Sequence, residues 1–208
     1  QSPNNGIMKF GIITHYDVHN HGAILQMNAL KKVLEQRFNI AADILQYTKN
    51  YDFMGCDKKY KYEFSIKSIK QYIYYLRSRG VRLFLFNVKK KIIFERFKKD
   101  EKLTGDFYSK SKTLDGIVIG SDEVFALHTG PTPALFGYAL PSDKVFSYAG
   151  SFGPTTLEEI NSLHCTEFVR GGLSGLKGMG MRDLNSIHIS ETLTGRKAML
   201  TVDPVILY

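Results

Sequence analysis

Two short apolar runs, each closing in a turn of small and polar residues, constrain the fold of this chain more than any other feature. The first is Gly116-Ile117-Val118-Ile119, which ends in Gly120-Ser121-Asp122. The second is Lys144-Val145-Phe146-Ser147-Tyr148-Ala149, which ends in Gly150-Ser151-Phe152-Gly153. Each reads as a buried strand delivering a ligand-facing loop. In open α/β sheets, ligands gather beyond the carboxyl ends of the strands. Asp122 and the turn from Ser151 to Gly153 therefore stand where chemistry is expected, and the small residues let a substrate approach the backbone.

The rest of the chain supports the same class. Residues 8–14 predict a first strand, and residues 22–37 a helix with Ala23, Leu25, Leu30, Val33 and Leu34 among its apolar positions. Residues 42–47 predict a second strand, so the chain opens as βαβ, for which parallel pairing and a right-handed crossover are the default. After Asp115 the rhythm resumes. Thr156-Leu157-Glu158-Glu159 is a capping-box start to a helix reaching about Cys165. A strand at 178–181, a helix near 186–193 and a strand at 198–202 complete another unit. The expected class is α/β, a Rossmann-like parallel sheet flanked by helices.

The length of 208 residues, with 43% hydrophobic and 23% charged, is enough for one well-buried domain over residues 8–208. Residues 1–7 read as a leader or a frayed terminus. Cys56 and Cys165 have no metal-ligand spacing and read as reduced thiols of a cytoplasmic protein. No apolar run is long enough to span a bilayer. The chain stops soon after its last predicted strand, at Asp203-Pro204 and four further residues, which leads us to expect one half of a two-domain protein.

The net charge of +8 is concentrated in one place. Residues 58–102 carry 15 Lys and Arg against 4 Asp and Glu, leaving the remainder slightly acidic. Ile66, Ile69, Ile73 and Leu76 recur at helical spacing and Arg79-Gly80 reads as a stop. Residues 81–99 then predict a second helix with Phe94 and Phe97 on one side, although a strand over residues 83–86 stays open. The segment is a basic helical insertion in the α/β pattern.

Five motifs, in order, carry a family resemblance: Asn20-His21-Gly22-Ala23-Ile24-Leu25-Gln26, Gly120-Ser121-Asp122-Glu123-Val124-Phe125, Tyr148-Ala149-Gly150-Ser151-Phe152-Gly153, Arg182-Asp183-Leu184-Asn185-Ser186 and Val202-Asp203-Pro204-Val205-Ile206-Leu207. The chain resembles the polysaccharide pyruvyl transferase family over most of its length outside the basic segment. That resemblance implies a GT-B-like two-domain architecture with the site between the domains. It also implies transfer of the enolpyruvyl group of phosphoenolpyruvate to a sugar of a cell-surface or exopolysaccharide glycan, closing a pyruvate ketal. Phe125 stands where the family often has Trp. Nothing in this chain matches the family's C-terminal motif with a donor-contacting His, so the chain by itself is expected to be inactive.

The residues can be assigned to this chemistry on physical grounds. Phosphoenolpyruvate carries a phosphate and a carboxylate, which call for fixed cations and backbone N–H groups, with the guanidinium fork preferred. Arg182, between a short strand and a helix N-terminus, fits that need. Its alternative is an ion pair with Asp183 or another carboxylate. Addition of a hydroxyl to the enol carbon needs a base for the hydroxyl and an acid for the methylene carbon. Asp122 is the candidate, with Glu123 second; its alternative is to cap a following helix.

Asn20, Gly22 and Gln26 at the first strand-to-helix turn, and Ser121, Ser151 and Gly153 at the later turns, are candidate substrate-binding residues. His15, Asp17, His19 and His21 share one turn in no recognised metal spacing and read as polar loop side chains. No metal and no cofactor are expected, phosphoenolpyruvate being the donor substrate.

The expected partners are phosphoenolpyruvate and a glycan acceptor, which the resemblance allows to be lipid-linked. Residues 58–102, with 10 aromatics among the cations, leave open peripheral contact with an anionic membrane at its inner face. They also fit a solvated helical pair packed on the domain. Nucleic acid is not expected, since no binding motif accompanies the charge. A GT-B-type sugar-nucleotide glycosyltransferase and a non-catalytic domain of the same fold are the alternative functions.

Overall fold

The computed structural model describes residues 7–18, 20–47 and 66–208, the side chains of residues 66–79 and of Thr129 excepted. His19, Cys56, residues 1–6 and residues 58–65 of the basic segment lie outside the described residues. Strands β1 (Lys9–Ile13), β2 (Ala41–Ile44), β3 (Gly116–Ile119), β4 (Val145–Gly150), β5 (Gly178–Met181) and β6 (Met199–Leu200) form one sheet in the order β2-β1-β3-β4-β5-β6. Every pairing is parallel. The helices are α1 (His21–Phe38), α2 (Ile66–Asp100), α3 (Leu157–Ser162), α4 (Thr166–Gly175), α5 (Leu184–Thr194) and α6 (Pro204–Leu207). This is the expected Rossmann-like α/β class.

Side-chain alternation along the strands builds two cores. Ile12 and Val118 face Ile24, Met27 and Leu30 of α1. Ile13, Ile117 and Ile119 belong to a second cluster with Phe168, Val169 and Leu173 of α4 and Ile189 of α5. With both faces covered, the central strands read as continuous apolar runs. From β1 the chain steps outward to β2, then returns to β3 on the other side of β1 and continues through β6. The β1/β3 boundary is therefore the switch point of the sheet, where a crevice opens beyond the strand ends.

Phe125, at the position where the family often has Trp, fills an apolar socket. It is fully buried, with ring centroids 5.3 Å from Phe136 and 5.4 Å from Phe152. Gly150 makes this possible, because a Cβ there would stand 2.6 Å from the Phe125 ring.

Several expectations are corrected in detail. The helix from Thr156 stops at Ser162, and a separate helix begins at Thr166. His164, at φ 53°, turns the chain between them without the glycine that usually signals such a turn. Leu25, assigned to the apolar face of α1, is 50% exposed. Residues 83–86 are helical. Gly80, at φ 79° and ψ 154°, interrupts α2 where the stop was expected, so the described part of the basic segment, from Ile66, is two helical stretches joined at that residue. No α-helix follows Asp122; a single turn of 3-10 helix at Leu127–Thr129 comes instead, so the helix-capping alternative for Asp122 has no helix to cap.

Candidate active site

Because the strands are parallel, the segments after β1, β3, β4, β5 and β6 all emerge at one rim. Asp122 leaves β3 with φ at 115°, a backbone region that side chains other than glycine rarely adopt. Ser151 N–H donates to Asp122 O at 3.0 Å, Val124 N–H donates to the same oxygen at 2.7 Å, and Phe125 N–H donates to Ser151 O at 3.0 Å. The turns after β3 and β4 are thereby locked together, and strain of this kind is characteristic of functional sites. Gly120, at φ 123°, cannot carry a side chain, since a Cβ would meet Tyr148 O at 2.1 Å.

The Arg182 guanidinium lies between two carboxylates, 3.9 Å from Asp122 Oδ1 and 4.0 Å from Asp203 Oδ2. Its backbone N–H donates to Gly150 O at 3.0 Å, which fixes its origin at the end of β5. Gln26, one turn into α1, donates its side-chain amide to Asp203 Oδ2. Asp203 also accepts from Val205 N at 2.9 Å as the cap of α6. Residues from four separate elements thus converge as Gln26, Asp203, Arg182 and Asp122. Both ion pairs are at the long end of contact, and each side chain is about a quarter exposed. The guanidinium is held in place without being saturated.

The remaining candidates sit around this group. The Asn20 side chain caps α1 by accepting from Gly22 N at 2.9 Å. Ser151 Oγ donates to Asp183 Oδ2 at 2.6 Å and accepts from Gly153 N at 2.9 Å. Gly153, at φ 54°, lies against Glu123, whose carboxyl would stand 2.8 Å from a Cβ at that position. Glu123 Oε2 is 3.8 Å from His128 Nε2. Ser121 is 1% exposed, and among the described residues its Oγ and Asn28 Oδ1 are the buried side-chain atoms without a hydrogen-bond partner. Among the same residues, no three His, Cys, Asp or Glu are grouped to hold a metal ion.

Three contributors were not among the site residues expected from the sequence. Asp203 was quoted only within a motif; its signal is an Asp immediately before a Pro, the pattern of a helix cap. His15 is buried across the switch point, with Nε2 3.1 Å from Glu123 O and Nδ1 3.4 Å from the Tyr47 hydroxyl. Beside it, Thr14 Oγ1 donates to Ser121 O at 2.8 Å, so the end of β1 supports the turn after β3.

Asp183 is the third. It accepts from Ser151 Oγ, from Ser186 N at 2.8 Å and from Ser186 Oγ at 2.9 Å. Burial opposes its ionisation, yet these hydrogen bonds, with the Arg182 charge, hold its carboxyl below the usual range. Asp183→Ala strands two buried or half-buried hydroxyls and removes the α5 cap, and is expected to cost about 3 kcal/mol. Because the folded carboxyl is the stronger acid, its contribution is complete above about pH 4, near the unfolded value, and fades as pH falls through the folded one. Urea unfolding should show the gap between the two proteins narrowing in acid. A gap that does not change with pH would show that the ionised carboxylate is not its source.

The family model described as polysaccharide pyruvyl transferase matches residues 20–208, nearly the whole chain. The chain belongs to the polysaccharide pyruvyl transferase family. The match runs from the Asn20 cap of α1 to the end of α6, and so spans every residue of the convergent group. No curated protein and no solved structure matches. The pyruvyl transferase family is one of transferases acting on polysaccharide, and the rim of the sheet is where this member brings Asp122, Arg182 and Asp203 together.

Proposed function

We propose that the protein takes phosphoenolpyruvate as donor and forms a pyruvate ketal on a sugar of a cell-surface or exopolysaccharide glycan. The observation that carries this reading is the placing of Arg182 between Asp122 and Asp203, half-paired and open to solvent, beyond the strand ends of a pyruvyl transferase. In the proposal the Arg182 fork binds the donor's carboxylate or phosphate, displacing two loose ion pairs as it does so.

One sugar hydroxyl adds to the enol carbon, and its proton passes to Asp122. A proton reaches the methylene carbon, which becomes the methyl group. A second hydroxyl then displaces phosphate and closes the ketal, its proton leaving with the inorganic phosphate. Phosphoenolpyruvate and a diol thus yield a ketal and phosphate, with no redox change. Gln26 fixes Asp203, Ser151 and Gly153 fix the turn beside Asp183, and Asn20 with Gly22 fixes the start of α1. Ser121 is proposed to support the same turn. The exposed apolar side chains of Leu184, Val202 and Ile206 beside the rim support a second wall to the cleft, supplied by a further domain.

The test, on the intact two-domain protein, is calorimetric titration with phosphoenolpyruvate and with nucleotide sugars, followed by phosphate release in the presence of a glycan acceptor. Binding of phosphoenolpyruvate and acceptor-dependent phosphate release are expected. Tight binding of a nucleotide sugar with none of phosphoenolpyruvate would replace the proposal with a glycosyltransferase.

A further inference from the structure

Among the described residues, the outer face of α2 has no partner within the domain. Val81, Leu85, Val88 and Ile92 are 63%, 59%, 41% and 62% exposed. At their spacing they share a stripe about 60° wide along one side of the helix. Phe94, 8% exposed, and the half-buried Phe97 lie on roughly the opposite side, packed on the core beneath α1. The helix thus has two apolar faces, and among the described residues only one of them is covered.

Cations border the outer stripe. Arg82, Lys89 and Arg96 recur every seven residues along one edge, and Lys91 lies on the other, all exposed. Over residues 81–100 there are seven Lys and Arg, against Glu95 and Asp100. A second copy presenting the same face would bring like charges together, whereas a surface of anionic headgroups satisfies the cations and the stripe at once. Among the described residues no helix is long and apolar enough to cross a membrane.

The position of α2 gives this face a direction. The Phe94 ring stands 4.6 Å from that of His21, the first residue of α1, and Glu101 pairs with Lys32 further along α1 at 3.0 Å. The two helices therefore run side by side in the same sense. The thirteen residues before Phe94, about 20 Å of helix, project past the start of α1, beyond the rim that carries Asp122 and Arg182. We infer that the Val81, Leu85, Val88 and Ile92 face of α2, bordered by Arg82, Lys89, Lys91 and Arg96, docks on an anionic lipid bilayer that passes beside the open rim of the sheet.

The experiment is flotation of the full chain with vesicles of phosphatidylcholine alone or mixed with phosphatidylglycerol. It reads no catalytic step, so it stands or falls separately from pyruvyl transfer. Binding is expected to the anionic vesicles only, and to weaken as salt is raised. Leu85→Ser with Ile92→Ser alters only exposed positions and should reduce the bound fraction with the circular dichroism spectrum unchanged. Arg82→Glu, Lys89→Glu and Arg96→Glu together should reduce it further, by at least about fivefold for each cation lost. No flotation with phosphatidylglycerol would overturn the inference. So would binding lost in the charge variant but intact in the apolar one, which is general adhesion to polyanions. Self-association abolished by Leu85→Ser with Ile92→Ser would overturn it in favour of a second copy.

Discussion

Asp122→Asn is expected to lower turnover by about 10²- to 10⁴-fold, the usual worth of a positioned acid or base, while phosphoenolpyruvate affinity changes little. The substitution isolates the charge and the proton-carrying oxygen. Asn is one of the few residues that tolerates a positive φ, so the turn at 115° should survive. Its amide oxygen can still accept from Glu123 N, as Asp122 Oδ1 does at 2.8 Å. Thermal melting should therefore be close to that of the parent protein. Steady-state kinetics on the intact enzyme with a glycan acceptor separates the outcomes. A fall in kcat at nearly constant KM is the expected signature. Unchanged turnover would return Asp122 to the structural task of joining the turns after β3 and β4.

Arg182→Ala acts at the other end of the same contact, and its expected signature is a weaker donor complex, by about 10²- to 10³-fold. Truncation removes the fork and leaves Asp122 and Asp203 facing an incoming anion without the cation between them. Arg182→Lys keeps the charge but loses the planar pair of donors, so it should recover only part of the loss. The fold should persist in both, because the hydrogen bond from Arg182 N to Gly150 O belongs to the backbone. Titration with phosphoenolpyruvate measures the effect directly. An unchanged dissociation constant would mean that Arg182 serves only its two carboxylates.

Local sequence made β3 legible, because an apolar run bounded by glycine, Gly116 to Gly120, has few other uses in a chain of this composition. The break at Gly80 was equally visible. The break at His164 was not, since a histidine in the left-handed region has no compositional mark. Leu25 shows the limit of periodicity: it is apolar and lies in a helix, but it faces solvent. Within the site, Asp122, Arg182 and Gln26 could each be picked out from their turns. Their pairing could not, because Asp122 meets Arg182 and Arg182 meets Asp203 only through the order of strands in the sheet. Asp183 was weighed as a partner for Arg182, whereas its hydrogen bonds go to Ser151 and Ser186.

The link from Gln26 to Asp203 joins residues 177 positions apart, and Arg37 binds Leu207 O across 170. A growing chain finishes β1, α1, β2 and β3 long before either partner has been made, and contacts of such separation form late. During synthesis the polar side of α1 must stay in water with its tasks unfilled, and Arg182 reaches the rim only after Asp122 has waited there through β4 and β5. The charged centre is thus completed only after most of the sheet around it. A ribosome stalled before Asp203 would release a sheet with most of its core and its locked turns, but with Gln26 and Arg182 each lacking the carboxylate that joins them.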